Sequence, residues 1–474
     1  MPSLLPLFIF LLPYLVHALP EHYTTTSRDV VVIGGGASGT YAAVNLKARG
    51  NTVAIVEQQG RLGGHVETYR DPATGETINV GVMAYYNNTV NNAYFSLLGV
   101  PMALSAPFNI PSTYRDFNTG KPVPGYEPAA FPPAAEVYMA YISKTYPYLS
   151  VSHENLTYPI PDELLEPFTV FVARHNFTDM LCIFDQTVQN IGNPWQLPTY
   201  HAIHALDSKF LTAYFNGLIN ALSGDNQDIY NAAARFLRQE NVFLDAKVTA
   251  MDRSGRCFGA AAPSPVCVLV LSTPTGASTL IKARKLLVAT PPTLHSLAPA
   301  ALDLDAHERS LFSHFHGFPY WAFVLDTPHL NASVPRYINT GAHTPYNLPS
   351  LPGVFSIESH TMGNKTKYVG WFGAVEASGW TRDRVQDTVA SQVARIGGGN
   401  TRDVIFELIK EHTPFRLHVS PKAVANGFYR DLYALQGRQN TFWTGAAWAE
   451  QDSSLIWMWS EESLLPKMEA ALAS

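Results

Sequence analysis

The stretch from Asp29 to Thr68 constrains this chain more than any other. It holds a short apolar run, DVVVI, then the turn Gly34-Gly35-Gly36-Ala37-Ser38-Gly39, then a segment in which Ala42, Ala43, Val44 and Leu46 share one helical face up to Gly50, and then TVAIVE ending on Glu57. The apolar run suits a buried parallel strand and the second spacing is helical, so the segment predicts a βαβ unit. Each glycine of the turn has its own steric duty: Gly34 permits the tight strand-to-helix turn, Gly36 lets backbone approach a pyrophosphate, and Gly39 lets helix and strand pack closely. Phosphate would rest beside Ala37 and Ser38 at a helix N-terminus, where unpaired N–H groups and the dipole favour negative charge. Glu57, followed by Gln58, ends the second strand where a carboxylate can accept ribose hydroxyls.

A second glycine pair follows at once. The pattern Glu57-x-x-x-Arg61-x-Gly63-Gly64 resembles the second fingerprint of FAD-containing amine oxidases and their relatives, whose usual form ends in Gly-Gly-Arg; His65 stands here in the Arg place. The glycines let backbone come close to a cofactor, and Arg61 offers a planar cation to phosphate.

At 474 residues the chain has room for two or more structural units. A net charge of −6 gives no electrostatic reason to expect nucleic acid or an anionic membrane as a partner, which leaves a small molecule as the expected ligand. Residues 4–16 form an apolar run of signal-peptide length followed by Val16-His17-Ala18, a small-residue cleavage site, so residues 1–18 read as a removed signal, with a retained anchor as the alternative because no Lys or Arg precedes the apolar run. No later stretch is apolar enough to span a membrane. Sequons at Asn87, Asn155, Asn176, Asn331 and Asn364 agree with a secretory route, the destination being secretion or the pathway lumen. Cys257 and Cys267 flank a loop between the strand-like VTAMDR and VLVLST, where a hairpin could join them as a disulfide. Cys182, among apolar neighbours in MLCIF, reads as a buried structural thiol.

Downstream, ETINVGVMAYY is similar to the segment that passes close to the flavin in the amine oxidase superfamily, with Gly81 giving the cofactor room and Val82 and Met83 beside it. From about 101 to 204 the βα alternation gives way to Pro-, Tyr- and Phe-rich sequence with helical segments such as ELLEPFTVFVARH and DMLCIFDQTVQNI. A helix-like run is then expected from Asn216-Gly217-Leu218-Ile219, and NVFLDAKVTA reads as a strand whose Val248, by the same resemblance, meets adenine through its backbone. ARKLLVATPP resembles the strand closing the FAD domain, and SHFHGFPYWAFVLD and TKYVGWFGAVEASG read as aromatic-rich strands. The end of the chain, NTFWTGAAWAEQDSSLIWMWSEESLLPKM, resembles the C-terminal FAD motif: strand, Gly445, loop, and a helix whose N-terminus approaches the flavin pyrimidine, with Met458 and Trp459 as further cofactor-binding candidates.

Taken together these motifs resemble the flavin-containing amine oxidase superfamily, and within it the secreted fungal oxidoreductases of the beta-cyclopiazonate dehydrogenase type. The resemblance implies an α/β fold in which a Rossmann-type FAD-binding domain (27–100, 205–300 and 411–474) is interleaved with an α+β substrate-binding domain (101–204 and 301–410). It implies an FAD-dependent dehydrogenase or oxidase that removes two electrons from a nitrogen-containing small molecule and passes them to O2 or another acceptor, in one branch with oxidative ring closure in alkaloid biosynthesis. An L-amino-acid or polyamine oxidase is a second reading, and a non-catalytic binding module on the same fold a third. No metal is expected, and no Cys follows Cys267, so the covalent tether of monoamine oxidase-like relatives near the chain end is excluded and the FAD is expected to be noncovalent. His65 is the candidate catalytic group, since a neutral imidazole there could accept a proton; phosphate or backbone hydrogen bonding is its other expected role. Lys367 is a weaker candidate, Trp371, Phe372, Trp448, Trp457 and Trp459 are candidates for an aromatic substrate wall, and Arg336, Arg382 and Arg384 for a carboxylate clamp.

Overall fold

The computed structural model describes residues 20–105, 110–128, 131–190, 192–193, 195–259, 264–298, 302–375 and 379–474. Residues 1–18, expected to be a signal, lie outside the described residues.

The apolar run and glycine turn fold as the sequence requires. Strand Thr24–Ile33 leads through Gly34–Gly36 into helix Ala37–Ala48 and on to strand Val53–Val56, parallel to the first with Ile33 beside Val56. Val30, Val31, Val32, Ala54 and Ile55 have no exposed surface, as expected of strands covered on both faces. Around this unit grows a seven-stranded sheet in the order Ala246–Asp252, Val266–Ser272, Ser278–Val288, Thr24–Ile33, Val53–Val56, Val242–Phe243, with Thr441–Trp443 alongside the end of Ser278–Val288. Segments far apart in sequence thus end in one row: Trp443, Val288, Ile33, Val56 and Phe243 are successive neighbours across parallel pairs. Ligands of open α/β sheets bind outside that carboxyl edge.

A six-stranded sheet forms the second layer: Ile405–Glu411, Tyr320–Asp326, Lys365–Gly373, Gly353–Met362, Arg336–Asn339 and Ser112–Arg115. One face carries Phe323, Val354, Ile357 and Phe372 against Val385, Val389 and Val393 of helix Arg382–Gly397, while the other presents Tyr320, Ala322, Val369 and Trp371 together with Val80. The chain from Phe131 to Asn216 contributes the helices Phe131–Thr145, Asp162–Leu165, Phe168–Arg174, Met180–Thr187, Thr199–Ala205 and Ser208–Asn216. The helix-like run expected from Asn216 is instead a helix end. Gly217, at φ +91°, closes Ser208–Asn216, and Leu218–Ala221 is a strand paired with Tyr85–Tyr86 and Met102–Ser105.

Cys257 and Cys267 are joined as a disulfide, with Cα atoms 5.2 Å apart and both residues fully buried beside Ala250, Leu269 and Leu280. Cys182 is a correction: it is half-buried, on the wall of the large cavity described below. Helix Met180–Thr187 turns Met180, Leu181, Ile183 and Phe184 inward, which leaves Cys182 on another face. All five sequon asparagines are exposed, and among the described residues no helix is long and apolar enough to cross a membrane.

Candidate active site

A cavity of about 1050 Å³ lies between the two sheets. Its wall along the nucleotide-binding sheet is made by the residues just past the aligned strand ends: Gly34, Gly36, Ala37 and Ser38; Glu57, Gln58 and Gln59; Ala289 to Pro292; and Thr444, Gly445 and Ala446. The sheet therefore collects four separated segments into one groove.

Steric detail shows what each glycine does. A side chain at Gly39 would put its Cβ 2.0 Å from the Gly34 carbonyl oxygen, so its absence is needed for helix and strand to pack. At Gly36 the nearest atom to an added Cβ is Gly64 Cα at 3.9 Å, so the space above it is open to the cavity. Gly36 precedes helix Ala37–Ala48 with extended backbone and no side-chain cap, which leaves N–H groups at that end for a ligand. Glu57 is held rigidly: Oε2 accepts from the Gly35 N–H at 2.7 Å and Oε1 from the Gln59 N–H at 2.8 Å.

His65, Gly63 and Gly64 line the same cavity, with Val82 and Met83 beyond them. The His65 ring stacks on His412, centroids 4.4 Å apart and planes 18° apart. Burial, with the Arg61 charge adding to it, pushes the His65 imidazole down to about 4; burial, and then His65 itself, hold His412 well below its usual range. Both rings are therefore neutral near pH 7, able to accept a hydrogen bond but weak as bases and not standing cations. The opposite wall comes from the second sheet and the loops beyond it. Trp371 donates Nε1–H to the Val80 carbonyl at 3.0 Å, the Tyr320 hydroxyl meets Gln189 Oε1 at 3.0 Å, and the Arg416 guanidinium donates to the Gln189 carbonyl and to Glu450.

Several expected residues stand off this wall. Arg61 is an ion pair with Glu67 at 2.6 Å and donates to Gln227 Oε1 at 2.9 Å and the Gly64 carbonyl at 3.3 Å, so it shapes the glycine turn instead of facing phosphate. Val248 is buried in the sheet opposite Val270 and does not line the cavity. Met458 and Trp459 are also corrections: Met458 Sδ accepts from Asn88, and Trp459 Nε1–H reaches Glu154 at 3.0 Å. Helix Ser453–Trp459 meets the cavity with its first turn, through Gln451, Asp452, Ser453 and Ile456, because only that end points at it. A Cβ at Gly81 would first strike the His65 carbonyl oxygen at 1.9 Å, so this glycine makes room for the neighbouring loop before it makes room for a ligand.

Lys367 is neither at the site nor on the surface: it is 3% exposed, with Nζ 2.8 Å from both Asp326 and Glu407. Of the candidate aromatic wall only Trp371 faces the cavity. Phe372 packs behind the sheet, Trp448 stacks on Trp443, and Trp457 stacks on Tyr85 while donating to the Ala37 carbonyl at 3.0 Å, which braces the glycine turn. Of the three arginines only Arg336 lines the cavity.

The residues present suit a dinucleotide. The open cradle over Gly36 and the fixed carboxylate of Glu57 are joined by two buried hydroxyls on the same wall, Thr290 Oγ1 and Thr444 Oγ1, that have no hydrogen-bond partner within the protein. Residues 32–98 match the model of the NAD(P)-binding Rossmann-like domain. The FAD-dependent oxidoreductase dpchF of Colletotrichum higginsianum is 33% identical over 94% of both chains. The beta-cyclopiazonate dehydrogenase of Aspergillus oryzae is 31% identical over 93% of both chains. This chain belongs to the fungal FAD-dependent oxidoreductases.

Solved structures agree on the fold. A CLA-producing fatty acid isomerase from P. acnes superimposes with a TM-score of 0.71 at 16% identity, covering 93% of this chain and 98% of that one. Cyclohexylamine oxidase from Brevibacterium oxydans gives 0.61 at 14%, covering 94% and 99%. Within this FAD-dependent oxidoreductase the sequence motifs left several cavity residues unseen. His412, Arg416, Gln189 and Tyr320 belong to no motif: Tyr320 and His412 reach the site through pairing of the second sheet, Arg416 through the small sheet of His316–Phe318 and Phe415–His418, and Gln189 from the segment after helix Met180–Thr187. Asp452 had one local signal, an Asp-Ser-Ser start before an apolar run: its carboxylate caps the following helix through the Ser454 and Leu455 N–H groups, while burial raises it to about 6.

Proposed function

We propose that this protein oxidises a nitrogen-containing small molecule by two electrons with noncovalently held FAD, O2 or another acceptor taking the electrons onward, and that the oxidation closes a ring in the biosynthesis of an alkaloid-type secondary metabolite. The observation that carries this reading is the single cavity joining the Gly34–Ser38 cradle to the aromatic wall of Tyr320 and Trp371, large enough for a cofactor's reactive end and a multi-ring substrate together. Gly34, Gly36, Ala37, Ser38, Glu57, Gln58, Gly63, Gly64, Thr290, Thr444 and Gly445 would hold the cofactor, which supplies the acceptor for hydride when bound. The protein's share is to position the substrate C–H bond, exclude water and supply neutral imidazoles. His65 is suited to accept a hydrogen bond from the substrate nitrogen and orient it, because burial keeps the imidazole unprotonated throughout the neutral range while leaving it a weak base.

The exposed sequons at Asn87, Asn155, Asn176, Asn331 and Asn364 and the buried disulfide support passage through the secretory pathway. A second reading, an L-amino-acid or polyamine oxidase, draws on the charged pair Arg336 and Glu358 in the cavity. Anaerobic mixing of holoprotein with indole-containing amines, L-amino acids and polyamines separates the two. Bleaching of the flavin by the aromatic amines supports the first, and bleaching only by small amino acids or polyamines replaces it with the second.

A further inference from the structure

The second sheet places one cation and one anion directly across from each other on the face that looks into the cavity. Arg336 and Glu358 are cross-strand partners of Arg336–Asn339 and Gly353–Met362, each is 8% exposed, and both line the cavity. Desolvating a guanidinium is costly unless its donors are used. Those of Arg336 are scarcely used: Nε stands 3.4 Å from Glu358 Oε1 without meeting hydrogen-bond geometry, and Nη2 reaches the Gln186 carbonyl at 3.4 Å. Charge-assisted bonds normally close to about 2.7–2.9 Å.

Arg253 shows how the same chain treats a guanidinium whose role is structural. It donates to Asp303 Oδ1 at 2.6 Å, to both oxygens of Glu308 at 2.8 Å and to the Asp303 carbonyl at 2.9 Å. Arg416, the other arginine on the cavity wall, is likewise engaged by Glu450 and the Gln189 carbonyl. Arg336 alone of these three is kept buried with donors to spare, facing space. Around it the wall is polar and aromatic, with Ser112, Tyr114 and Gln186, and Ser112 stands directly beside Arg336 in the parallel pair.

We propose that Arg336 is the anchor for a carboxylate, or an equivalent anionic pair of oxygens, on the substrate, and that Glu358 is the placeholder which steadies the guanidinium until that group arrives. The inference rests on the reading of the cavity as a flavin and substrate site, and adds to it that the substrate is acidic at the end facing the second sheet. Glu358 yields readily, since burial, opposed by the Arg336 charge, raises its pKa and makes its neutral form accessible. A fork-shaped cation then pairs with a planar anion by two parallel bonds, a geometry Lys does not reproduce.

The test uses flavin-loaded protein and two probes of nearly one shape, indole-3-acetate and indole-3-acetamide, with binding read by calorimetry and by perturbation of the visible flavin spectrum. The parent protein should prefer the acetate by roughly tenfold or more, as expected for one charge-assisted pair. Arg336→Gln should erase that preference at unchanged flavin content, Arg336→Lys should recover part of it, and Glu358→Gln should keep or strengthen acetate binding by removing the competing carboxylate. Equal affinity of the parent for both probes, or no binding of either, overturns the proposal, as does an undiminished preference in Arg336→Gln. If Arg336→Gln does not fold, Glu358→Gln decides: weaker acetate binding there means that the pair is structural and the proposal is wrong. Calorimetry reads the anion preference even in protein that lacks flavin, so failure of the cofactor reading is seen separately, in the flavin content.

Discussion

The imidazoles of His65 and His412 stack face to face, 4.4 Å between centroids, although one follows the glycine turn of the nucleotide-binding unit and the other follows an edge strand of the second sheet. The contact ties the two layers together at the cavity, and two adjacent buried imidazoles resist taking even one proton between them. That arrangement suits a neutral acceptor beside the substrate. His65→Ala should leave FAD content nearly unchanged and slow anaerobic flavin reduction by roughly 10²-fold. Reduction at the parental rate would make His65 structural. Full activity in His65→Arg would show that a donor is needed there, since Arg cannot act as a base.

The glycines separate folding from binding. Gly36→Ala adds a Cβ with 3.9 Å of clearance to the nearest protein atom, so the variant should fold with the thermal stability of FAD-stripped parent protein yet take up no FAD. Gly39→Ala drives its Cβ to 2.0 Å from the Gly34 carbonyl oxygen and should lower the melting temperature or prevent folding. Differential scanning fluorimetry with flavin quantitation distinguishes the two outcomes.

Much of the first layer was legible in the sequence because its determinants are local. Apolar strands and required glycines write the βαβ unit into consecutive residues, so the cradle could be read from Gly34 to Gly64. The opposite wall is set by register across distant strands: Arg336 meets Glu358 only because two strands pair, and no spacing in the sequence encodes that. The misreadings have the same origin. In Asn216-Gly217-Leu218-Ile219 the helix ends at Asn216, and the turn at Gly217 with pairing to Tyr85–Tyr86 puts Leu218 and Ile219 in a strand. Lys367 reads from sequence as a candidate site lysine, but Asp326 and Glu407 on neighbouring strands enclose it.

Acid should destabilise the protein in a defined window. His65 is held at about 4 when folded and returns to about 6.5 when unfolded, so the unfolded chain binds more protons between those values. Its contribution is fully present above pH 6.5 and is lost as pH falls toward 4, at most ~3 kcal/mol. His153, His201 and His412 shift in the same direction and steepen the fall. Urea unfolding at pH 7, 6 and 5 should show it, and His65→Gln should flatten the slope by up to one proton. An unchanged slope would mean that His65 is protonated in the native protein.

The Cys257–Cys267 bridge closes a short loop at the end of a hairpin, away from the cavity. Replacing both residues by Ser should cost no more than about 3 kcal/mol, leaving flavin binding intact. Comparative thermal melts check the first, and the visible spectrum the second.

A chain that holds FAD in the cradle above Gly36 and uses it to oxidise a small molecule carries that flavin through purification. The absorption spectrum of the purified protein, taken before and after acid precipitation, tests it most directly. The expected result is a yellow protein with about one FAD per chain, released intact into the supernatant. A colourless protein that takes up no FAD when supplied with it would rule out the flavin site, and flavin retained in the pellet would rule out noncovalent attachment.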